Sequence, residues 1–376
     1  MNRDFNYVSL FSGIGGFDLA LDNLGGKCVM ASEIDKWANK SFELLYGFPT
    51  AGDVTKVKEE DVPDHDIIVA GFPCQSFSIS GNRLGLNDTR GTLFFEVARI
   101  AKEKQPRVIF LENVKGLLSD DNGKTMQLIL KTLNEVGYVV DFKLINSSNH
   151  GVAQSRERVY IFGVRKDLQS HRGWVIRGNT VEGRTKRELA KDKTLEMFNF
   201  KLLPNDRENK KIKDILEEDV GERFYVKKDK LERLMKDLED KGFGNEKENK
   251  SKPRQLFKRN IKKGKDYKLD KAGYIDPEGY DTTNRVYTVN GLAPTITASC
   301  GGETHIMVEK EGERRVRRLT PLECLRLQAF PDEFYDILSK NGISNTQIYK
   351  QSGNAVTVTV IEDIMKSFIH QGYLDV

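Results

Sequence analysis

Short apolar runs alternate with amphipathic segments through residues 7–164, and this alternation restricts the fold more than any other feature. The apolar runs cover residues 7–11, 27–31, 66–70, 108–111, 138–144 and 159–164. Between them, residues 17–24, 36–46, 92–104 and 122–136 show the spacing of amphipathic helices. Strands that alternate with helices form a mostly parallel sheet covered on both faces. The sequence therefore predicts an α/β protein.

The character of the sequence changes after residue 164. Residues 166–308 are polar, rich in Lys and Glu, and only weakly periodic, with a predicted helix at 227–241 and short strand-like pieces at 285–289 and 295–297. Helical patterns return at residues 321–328 and 355–368. We interpret residues 1–165 plus 341–376 as one domain, 166–310 as a second, smaller domain, and 311–340 as a linking segment.

Charge is distributed unevenly along the 376 residues, although the net charge is only +4. Basic residues dominate 247–271, and Arg314, Arg315, Arg317 and Arg318 form a second cluster. Local positive patches suit a polyanionic partner. A solvated surface or a loop explains such a run equally well.

The four cysteines are Cys28, Cys74, Cys300 and Cys324, and no two of them form a CxxC pair. This spacing argues against a zinc site and against a disulfide framework, so no metal is expected. Reduced thiols are typical of a cytoplasmic protein. Polar residues interrupt the N-terminal segment, and no run of about 18 apolar residues occurs, so neither a signal peptide nor a membrane span is predicted.

Three glycines, Gly13, Gly15 and Gly16, stand between the first predicted strand and its helix. Glycine there lets the backbone approach a ligand at the start of a helix. Glu33 ends the second strand, where an acid can bind ribose hydroxyls. The spacing differs from the GxGxxG of dinucleotide-binding proteins, and a structural turn would explain it as well.

Cys74 follows the predicted strand 66–70 in the sequence Phe72-Pro73-Cys74-Gln75. Ligands of open α/β sheets bind at the carboxyl ends of strands, so Cys74 is placed where chemistry occurs. An isolated cysteine is often only a small buried side chain. The glycine, proline and glutamine around it favour an exposed loop, and a reactive thiol needs its thiolate stabilised by nearby positive charge.

Glu112 ends the next strand and is predicted to lie beside Cys74, where a carboxyl group is a candidate proton donor. Gln154, Arg156 and Arg158 alternate along the start of the last strand. Alternate residues of a strand share one face, so these three are predicted to project together into the same cleft. An exposed edge strand with charged side chains is the other interpretation.

Taken in order, these blocks resemble the cytosine-5 DNA methyltransferase family of bacterial and phage restriction-modification systems. The resemblance covers residues 1–164 and about 285–376. The blocks that carry it are Phe11-Ser12-Gly13-Ile14-Gly15-Gly16, Glu33, Gly52-Asp53-Val54, Gly71-Phe72-Pro73-Cys74-Gln75-Ser76, Gly91-Thr92-Leu93-Phe94, Glu112-Asn113-Val114, Gln154-x-Arg156-x-Arg158, Arg318-Leu319-Thr320-Pro321-x-Glu323, Arg326-Leu327-Gln328-x-Phe330-Pro331 and Gln351-x-Gly353-Asn354-Ala355-Val356.

The resemblance implies a Rossmann-like methyltransferase sheet and a covalent mechanism. Cys74 would add to carbon 6 of cytosine, which makes carbon 5 nucleophilic. Glu112 would hold a proton at ring nitrogen 3. Arg156 would bind the ring carbonyl oxygen, and Arg158 would brace the group.

The resemblance also implies S-adenosyl-L-methionine as methyl donor and S-adenosyl-L-homocysteine as product. The residues expected at the donor are Phe11, Ser12, Gly13, Ile14, Gly15, Gly16, Glu33, Ile34, Asp53, Val54, Gly71, Pro73, Leu93, Asn354, Ala355 and Val356.

Double-stranded DNA is the implied partner, and the target base would be flipped out of the helix. Residues 76–90 would form a loop that closes over it, and the second domain would recognise the target sequence. The basic run within 247–271 would contact phosphates, which position the protein without specifying a sequence. The residues expected to contact DNA are Gln75, Ser76, Ser78, Arg83, Gln154, Thr295, Thr297, Gly301 and Gly302.

Three alternatives stay open at this point. A tRNA cytosine-5 methyltransferase would share every catalytic residue, but such enzymes carry a Cys-Phe-Thr element in the variable region that is absent here. A non-catalytic DNA-binding module is disfavoured by the intact Cys74, Glu112 and Arg156. A nicotinamide-dependent dehydrogenase is disfavoured by the glycine spacing. We expect a monomer that protects DNA from a cognate endonuclease and associates with the nucleoid through DNA.

Overall fold

The protein is built around a large sheet of six strands. The structure, a computed structural model, describes residues 5–73, 93–227, 271–274, 285–298 and 304–374. The strands are β1 Phe5–Leu10, β2 Gly26–Ser32, β3 Ile67–Ala70, β4 Val108–Val114, β5 Tyr138–Asn146 and β6 Glu157–Arg165, in the order β2-β1-β3-β4-β6-β5. This confirms the predicted α/β class with a methyltransferase-like sheet.

The direction of β6 is a feature that strand periodicity did not predict. Strands β1 to β4 run parallel, whereas β6 runs antiparallel to both β4 and β5. Only a short loop joins β5 to β6, and a parallel crossover needs a dozen residues or more. The first residues of β6 therefore lie at the edge where β1, β3 and β4 end, with Arg158 paired to Val114.

Helices cover both faces of the large sheet. They are α1 Gly16–Asp22, α2 Lys36–Tyr46, α3 Phe94–Lys104 and α4 Lys124–Glu135, and towards the C-terminus α6 Pro321–Arg326, α7 Asp332–Lys340, α8 Asn345–Asn354 and α9 Val358–His370, with α5 Val181–Leu189 between the two groups. Alternate residues of a strand face opposite layers. In β4, Phe110 packs towards α1 and α9, whereas Ile109 packs towards α3 and α4.

A second, four-stranded sheet contains β7 Lys271–Tyr274, β8 Arg285–Thr288, β9 His305–Lys310 and β10 Glu313–Arg318. The strand at 285–289 was predicted, but the strand-like piece at 295–297 was wrong. There the backbone N–H of Ile296 donates to the Gln154 side chain, and Thr295 donates to the Ser155 carbonyl. Side chains and the chain before β6 thus replace the partners that a strand would supply. Most of the helix predicted at 227–241 lies outside the described residues.

The boundaries at residues 165, 310 and 340 stay predictions, and the packing gives reasons to move them. Phe198 and Phe200 belong to the same core as Phe162 and Phe368, so residues 195–203 pack against the large sheet. β10, in the predicted linking segment, belongs to the second sheet. Phe198, Phe200 and Leu202 alternate with Asn199 and Lys201, but this short run stands within a long polar region, and the sequence analysis did not distinguish it from that region.

Candidate active site

A cavity of about 470 Å³ lies at the edge where β1, β3 and β4 end. Its size is in the usual range for small-molecule sites. Glu112, Arg156 and Arg158 line it. It is also lined by Phe11, Ser12, Gly13, Ile14, Gly16, Glu33, Ile34, Asp53, Val54, Gly71, Pro73, Leu93, Asn354, Ala355 and Val356. Gly15, the remaining residue predicted at the methyl donor, is not among the lining residues.

Gly15 and Gly16 allow neighbouring elements to pack closely against the start of α1, and they do not form a loop of the dinucleotide-binding type. Gly15 has φ of 78°, in the left-handed region, and the Tyr46 ring occupies the space where a Cβ would stand. A Cβ on Gly16 would lie 2.8 Å from the Val356 side chain. Side chains at either position would clash, so two adjacent glycines let α1 begin directly against α2 and the chain before α9.

Glu33 joins the loops that follow β1 and β2. One carboxylate oxygen accepts from the backbone N–H of Gly13 at 2.9 Å and the other from that of Asp35 at 2.8 Å. Each oxygen has a further lone pair, so the carboxylate keeps acceptor capacity towards the cavity. Next to it, the Ile34 side chain lines the cavity although 71% of the residue is exposed.

Asp35 and Lys350 form a part of the cavity wall that the sequence analysis missed. One oxygen of Asp35 caps α2 by accepting from Trp37 and Ala38, and the other accepts from the Lys350 ammonium at 2.7 Å. Burial by itself would raise the pKa of Asp35. The hydrogen bonds from Lys350 and from the two backbone N–H groups outweigh this effect, so the pKa lies below its usual value and the carboxylate stays ionised. An Asp before an amphipathic helix signals a cap, but no local pattern indicates a partner so distant in sequence.

Glu112 and Arg158 form an ion pair at the cavity wall. Nε of Arg158 lies 3.1 Å from Oε1 of Glu112, and both side chains are largely buried. Burial raises the pKa of Glu112, and the charges of Arg158 and Arg156 oppose that shift without cancelling it. A buried carboxyl group that retains its proton more readily than usual suits proton donation near neutral pH.

Asn113 connects the end of β4 to the loop that leads to Cys74. Its Nδ2 donates to the Phe72 carbonyl at 2.9 Å. Cys74 itself lies outside the described residues, and so do Gln75, Ser76, Ser78, Arg83, Gly301 and Gly302. Pro73, the neighbour of Cys74 in the chain, lines the cavity.

The guanidinium of Arg156 is engaged differently from that of Arg158. Its Nη1 donates to the carbonyls of Ile296 and Gly353, both at 3.2 Å, and its Nη2 donates to the carbonyl of Ala355 at 2.9 Å. Burial and the Arg158 charge lower the pKa of Arg156 to about 10. Arg158 thus faces Glu112, whereas Arg156 holds backbone segments. This geometry favours Arg158 over Arg156 for a contact with the ring carbonyl oxygen, and the roles implied by the resemblance stay predictions.

Gln154 does not face solvent, which contradicts its prediction as a DNA contact. The residue is 0% exposed. Its Nε2 donates to the Leu327 carbonyl, and its Oε1 accepts from the Ile296 N–H, both at 3.0 Å. Gln154 pairs with Ala293 in an isolated bridge, and its side chain is buried between Ile296 and Leu327.

The other predicted DNA contacts within the described residues differ in exposure. Thr295 is half-buried and donates to the Ser155 carbonyl, whereas Thr297 is exposed. In the arginine cluster, Arg315 forms an ion pair with Glu222, and Arg317 forms a buried one with Glu323. Two of these four arginines thus bind carboxylates of the chain itself, which reduces the positive charge offered to a polyanion.

Within the part of the chain that the structure describes, no group of three or more His, Cys, Asp or Glu side chains is arranged to hold a metal ion. No helix among the described residues combines the length and apolar character needed to cross a membrane.

The sequence is similar to that of known proteins over nearly its whole length. The sequence matches the family described as C-5 cytosine-specific DNA methylase over residues 5–370. It is 34% identical to Orphan methyltransferase M.SPRI of Bacillus phage SPR, over 96% of this chain and 97% of that protein. It is also 34% identical to Type II methyltransferase M.HhaI of Haemophilus parahaemolyticus, over 95% of this chain and 92% of that protein.

Among solved structures, the fold is similar to that of the S. pombe Dnmt2 methyltransferase. The TM-score is 0.63 at 16% sequence identity, over 97% of this chain and 98% of that chain. At this identity the likeness concerns the fold alone. The family match spans nearly the whole chain, and close relatives are matched end to end. The chain belongs to the C-5 cytosine-specific DNA methylases, enzymes that methylate carbon 5 of cytosine in DNA.

Proposed function

We propose that Cys74, Glu112 and Arg158 carry the methylation of cytosine, with S-adenosylmethionine bound in the cavity beside them. One observation supports this above the others: the buried Glu112–Arg158 ion pair lies in the same cavity wall as Pro73, the residue before Cys74. A carboxyl group, a guanidinium and a thiol are the groups that an attack on the cytosine ring requires.

The residues of the cavity fit S-adenosylmethionine. Glu33 has free acceptor capacity for ribose hydroxyls, and the exposed Ile34 offers an apolar surface to the adenine ring. The Lys350 ammonium and the exposed Asn354 add polar groups in the wall. When bound, this cofactor supplies a methyl group on a positively charged sulfur, which is an electrophile.

Glu112 and Arg158 would both stabilise the negative charge that develops on the cytosine ring. Cys74, as a thiolate, forms a bond to carbon 6 and pushes electrons into the ring, so carbon 5 becomes nucleophilic. Glu112 holds a proton at nitrogen 3 and thereby neutralises the charge that develops there. Arg158 donates to the ring carbonyl oxygen. Once carbon 5 has lost its proton to a base, the thiolate leaves and the ring is restored.

We propose double-stranded DNA as the substrate form and the second domain as the reader of its sequence. Thr297, exposed near the end of the described segment 285–298, would face the DNA. M.HhaI is named a type II methyltransferase and M.SPRI an orphan one. Our proposal is a monomeric modification enzyme of a restriction-modification system, whose methylation blocks a cognate endonuclease.

Transfer of labelled methyl groups from S-adenosylmethionine tests the function directly. Duplex DNA and bulk tRNA are offered separately, and bisulfite sequencing of the DNA product then locates the methylated cytosines. We expect label in the DNA alone, at cytosines in one sequence context. Label in tRNA alone would instead establish the tRNA methyltransferase, and methylation of DNA without any context would contradict the role given to the second domain.

A further inference from the structure

Arg156 lies where three parts of the molecule meet. Ile296 belongs to the segment that the proposed function assigns to DNA recognition, whereas Gly353 and Ala355 lie in the cavity wall proposed to hold the cofactor. One guanidinium donates to the backbone carbonyls of all three residues. Its own backbone N–H donates to the Asn146 side chain at 3.0 Å, which fixes the base of the side chain.

Both polar groups of Ile296 are held by this short stretch before β6. Its carbonyl accepts from Arg156, and its N–H donates to Gln154 at 3.0 Å. Gln154 in turn donates to the Leu327 carbonyl, at the end of α6. A displacement of Ile296 would therefore break hydrogen bonds that also fix other elements.

The recognition segment and the cofactor wall also touch directly. A Cβ on Gly353 would overlap the peptide between Thr297 and Ala298, so the two backbones are packed as closely as glycine allows. The exposed Asn354 follows Gly353 on the cavity side. Movement of one backbone is thereby transmitted to the other, because well-packed interiors do not deform gradually.

The Arg156 guanidinium has little freedom to release one partner alone. Only 3% of the residue is exposed, and its Nε has no hydrogen-bond partner in the described part of the chain. Losing a further hydrogen bond would leave more of a buried cation unsatisfied, which is strongly unfavourable. The carbonyls of Ile296, Gly353 and Ala355 are therefore held or released together.

We propose that Arg156 is a positioning residue that couples the binding of DNA to the binding of the methyl donor. This rests on the proposed function, which assigns one segment to each ligand. DNA that further restrains the segment around Ile296 also restrains Gly353 and Ala355 through Arg156, so the cofactor then binds a more rigid wall. By linkage the cofactor must strengthen DNA binding by the same factor.

The test is the ratio of two dissociation constants for S-adenosylhomocysteine, without and with a saturating duplex of the sequence that bisulfite sequencing identifies. In the wild type we expect a ratio of at least about 5, the lower end of common allosteric couplings. In Arg156→Gln the ratio should fall to about 1, and Arg156→Lys, which keeps a cation, should recover part of it. A merely structural role would weaken both constants and leave their ratio unchanged.

Two further variants keep the test decisive. Gln154→Met frees the Ile296 N–H but retains Arg156, so it should lower the ratio partly, and it decides the matter alone if Arg156→Gln does not fold. Arg165→Gln is the matched control, because Arg165 lies at the other end of β6 and binds Asp167 and the Gln105 carbonyl. Its ratio should equal that of the wild type.

The outcomes that overturn the proposal are distinct from failure of the proposed function. A wild-type ratio of 1, or an unchanged ratio in the folded Arg156 and Gln154 variants, refutes the coupling while leaving the function intact. If the wild type binds no S-adenosylhomocysteine even with DNA present, the proposed function itself fails, and the coupling fails with it.

Discussion

Glu112 is the described residue whose surroundings most directly indicate a role in proton transfer. Its carboxyl group is buried at the end of β4, and burial raises its pKa against the opposing charges of Arg158 and Arg156. The side chain thus keeps its proton to a higher pH than an exposed glutamate does. The mechanism that we propose, in which Glu112 holds a proton at nitrogen 3 of the target ring, depends on that property.

We expect Glu112→Gln to lower kcat by about 10² to 10⁴, the usual contribution of a general acid. The protonated form of Glu112 is active, so wild-type kcat should fall as pH rises through its raised pKa. The variant should lack this falling limb in a pH profile of methyl transfer. Glu157→Gln is the control, because Glu157 is exposed on the neighbouring strand and pairs with Lys115. A profile unchanged by Glu112→Gln would contradict the role.

Asp18, a residue of α1, carries a second buried carboxyl group, and it is not among the residues that line the cavity. Ser9 donates to its Oδ2 at 2.9 Å, and Oδ1 has no hydrogen-bond partner among the described residues. Burial raises its pKa from 3.8 to about 7, with a smaller contribution from Asp22 and opposing ones from Ser9 and Cys28. The folded protein therefore holds a proton that the unfolded chain releases near pH 4.

Because the folded state binds this proton more tightly, Asp18 should reduce stability as pH rises from about 4 to about 7. The shift of about three units corresponds to at most about 4 kcal/mol. Asp18→Asn should remove this part of the pH dependence. Urea unfolding at pH 5 and pH 8 measures it, with Asp336→Asn, at an exposed site on α7, as control. Equal pH differences in wild type and Asp18→Asn would refute the assignment.

At the scale of single residues, the sequence predicted positions better than roles. Motif order placed Glu33 and Glu112 at one cavity because parallel strands end at a common edge. Arg158 reaches the same edge because β6 runs antiparallel and begins there. Motif order placed Arg156 and Arg158 two residues apart at the start of one predicted strand, but spacing alone could not show what each guanidinium contacts. Their roles depend on what each guanidinium meets, namely the carbonyls of distant segments for Arg156 and a carboxylate for Arg158.

Among the elements, helix α5 shows how the region after β6 is held on the large sheet. The Lys186 ammonium lies 2.6 Å from Asp141 of β5 and 3.2 Å from Glu182, between the rings of Phe142 and Trp174. Glu182 also accepts from the Leu144 N–H, on the strand at the edge of the sheet. This contact satisfies part of an edge that would otherwise be open to pairing.

Lys186→Met should destabilise the fold by about 3 to 5 kcal/mol, because it leaves the carboxylate of Asp141 buried without its cation. Adding Asp141→Asn should restore part of the loss. The free energy of unfolding in urea measures both effects. Lys191→Met is the control, since the Lys191–Glu188 pair is exposed and should change stability by no more than about 0.5 kcal/mol. A loss below about 1 kcal/mol for Lys186→Met would show that the pair does not anchor α5.

Elements with regular apolar spacing were predictable, and those held by long-range contacts were not. All six strands of the large sheet follow from apolar runs, because such strands are buried on both faces. Helix α5 and strands β9 and β10 contain no continuous apolar run. They are only partly covered, and ion pairs of Lys186, Lys310 and Arg315 help to hold them. The irregular segment at 293–298 has strand-like composition, but its backbone is satisfied by Gln154 and Ser155.

For the whole molecule, the order of motifs predicted the family, while the packing shows how its parts are joined. The large sheet creates one edge at which Pro73, Glu112 and the loops after β1 and β2 meet around one cavity. The second sheet reaches that edge through residues 293–298, held by side chains that precede β6. The contact between residues 293–298 and the chain before β6 joins segments more than a hundred residues apart in sequence. Neither apolar periodicity nor the local spacing of residues predicts it.

The most direct test of the central claim is covalent capture of Cys74 on a duplex that carries 5-fluorocytosine at the methylated position. Fluorine at carbon 5 cannot leave as the proton does, so the thiol should stay bonded to carbon 6 after methyl transfer. With S-adenosylmethionine present, mass spectrometry of the digested protein should place the methylated, fluorinated nucleotide on the peptide that contains Cys74. Cys74→Ser should give no such complex. Capture on another residue, or methylation of ordinary duplex by Cys74→Ser at the wild-type rate, would contradict the account.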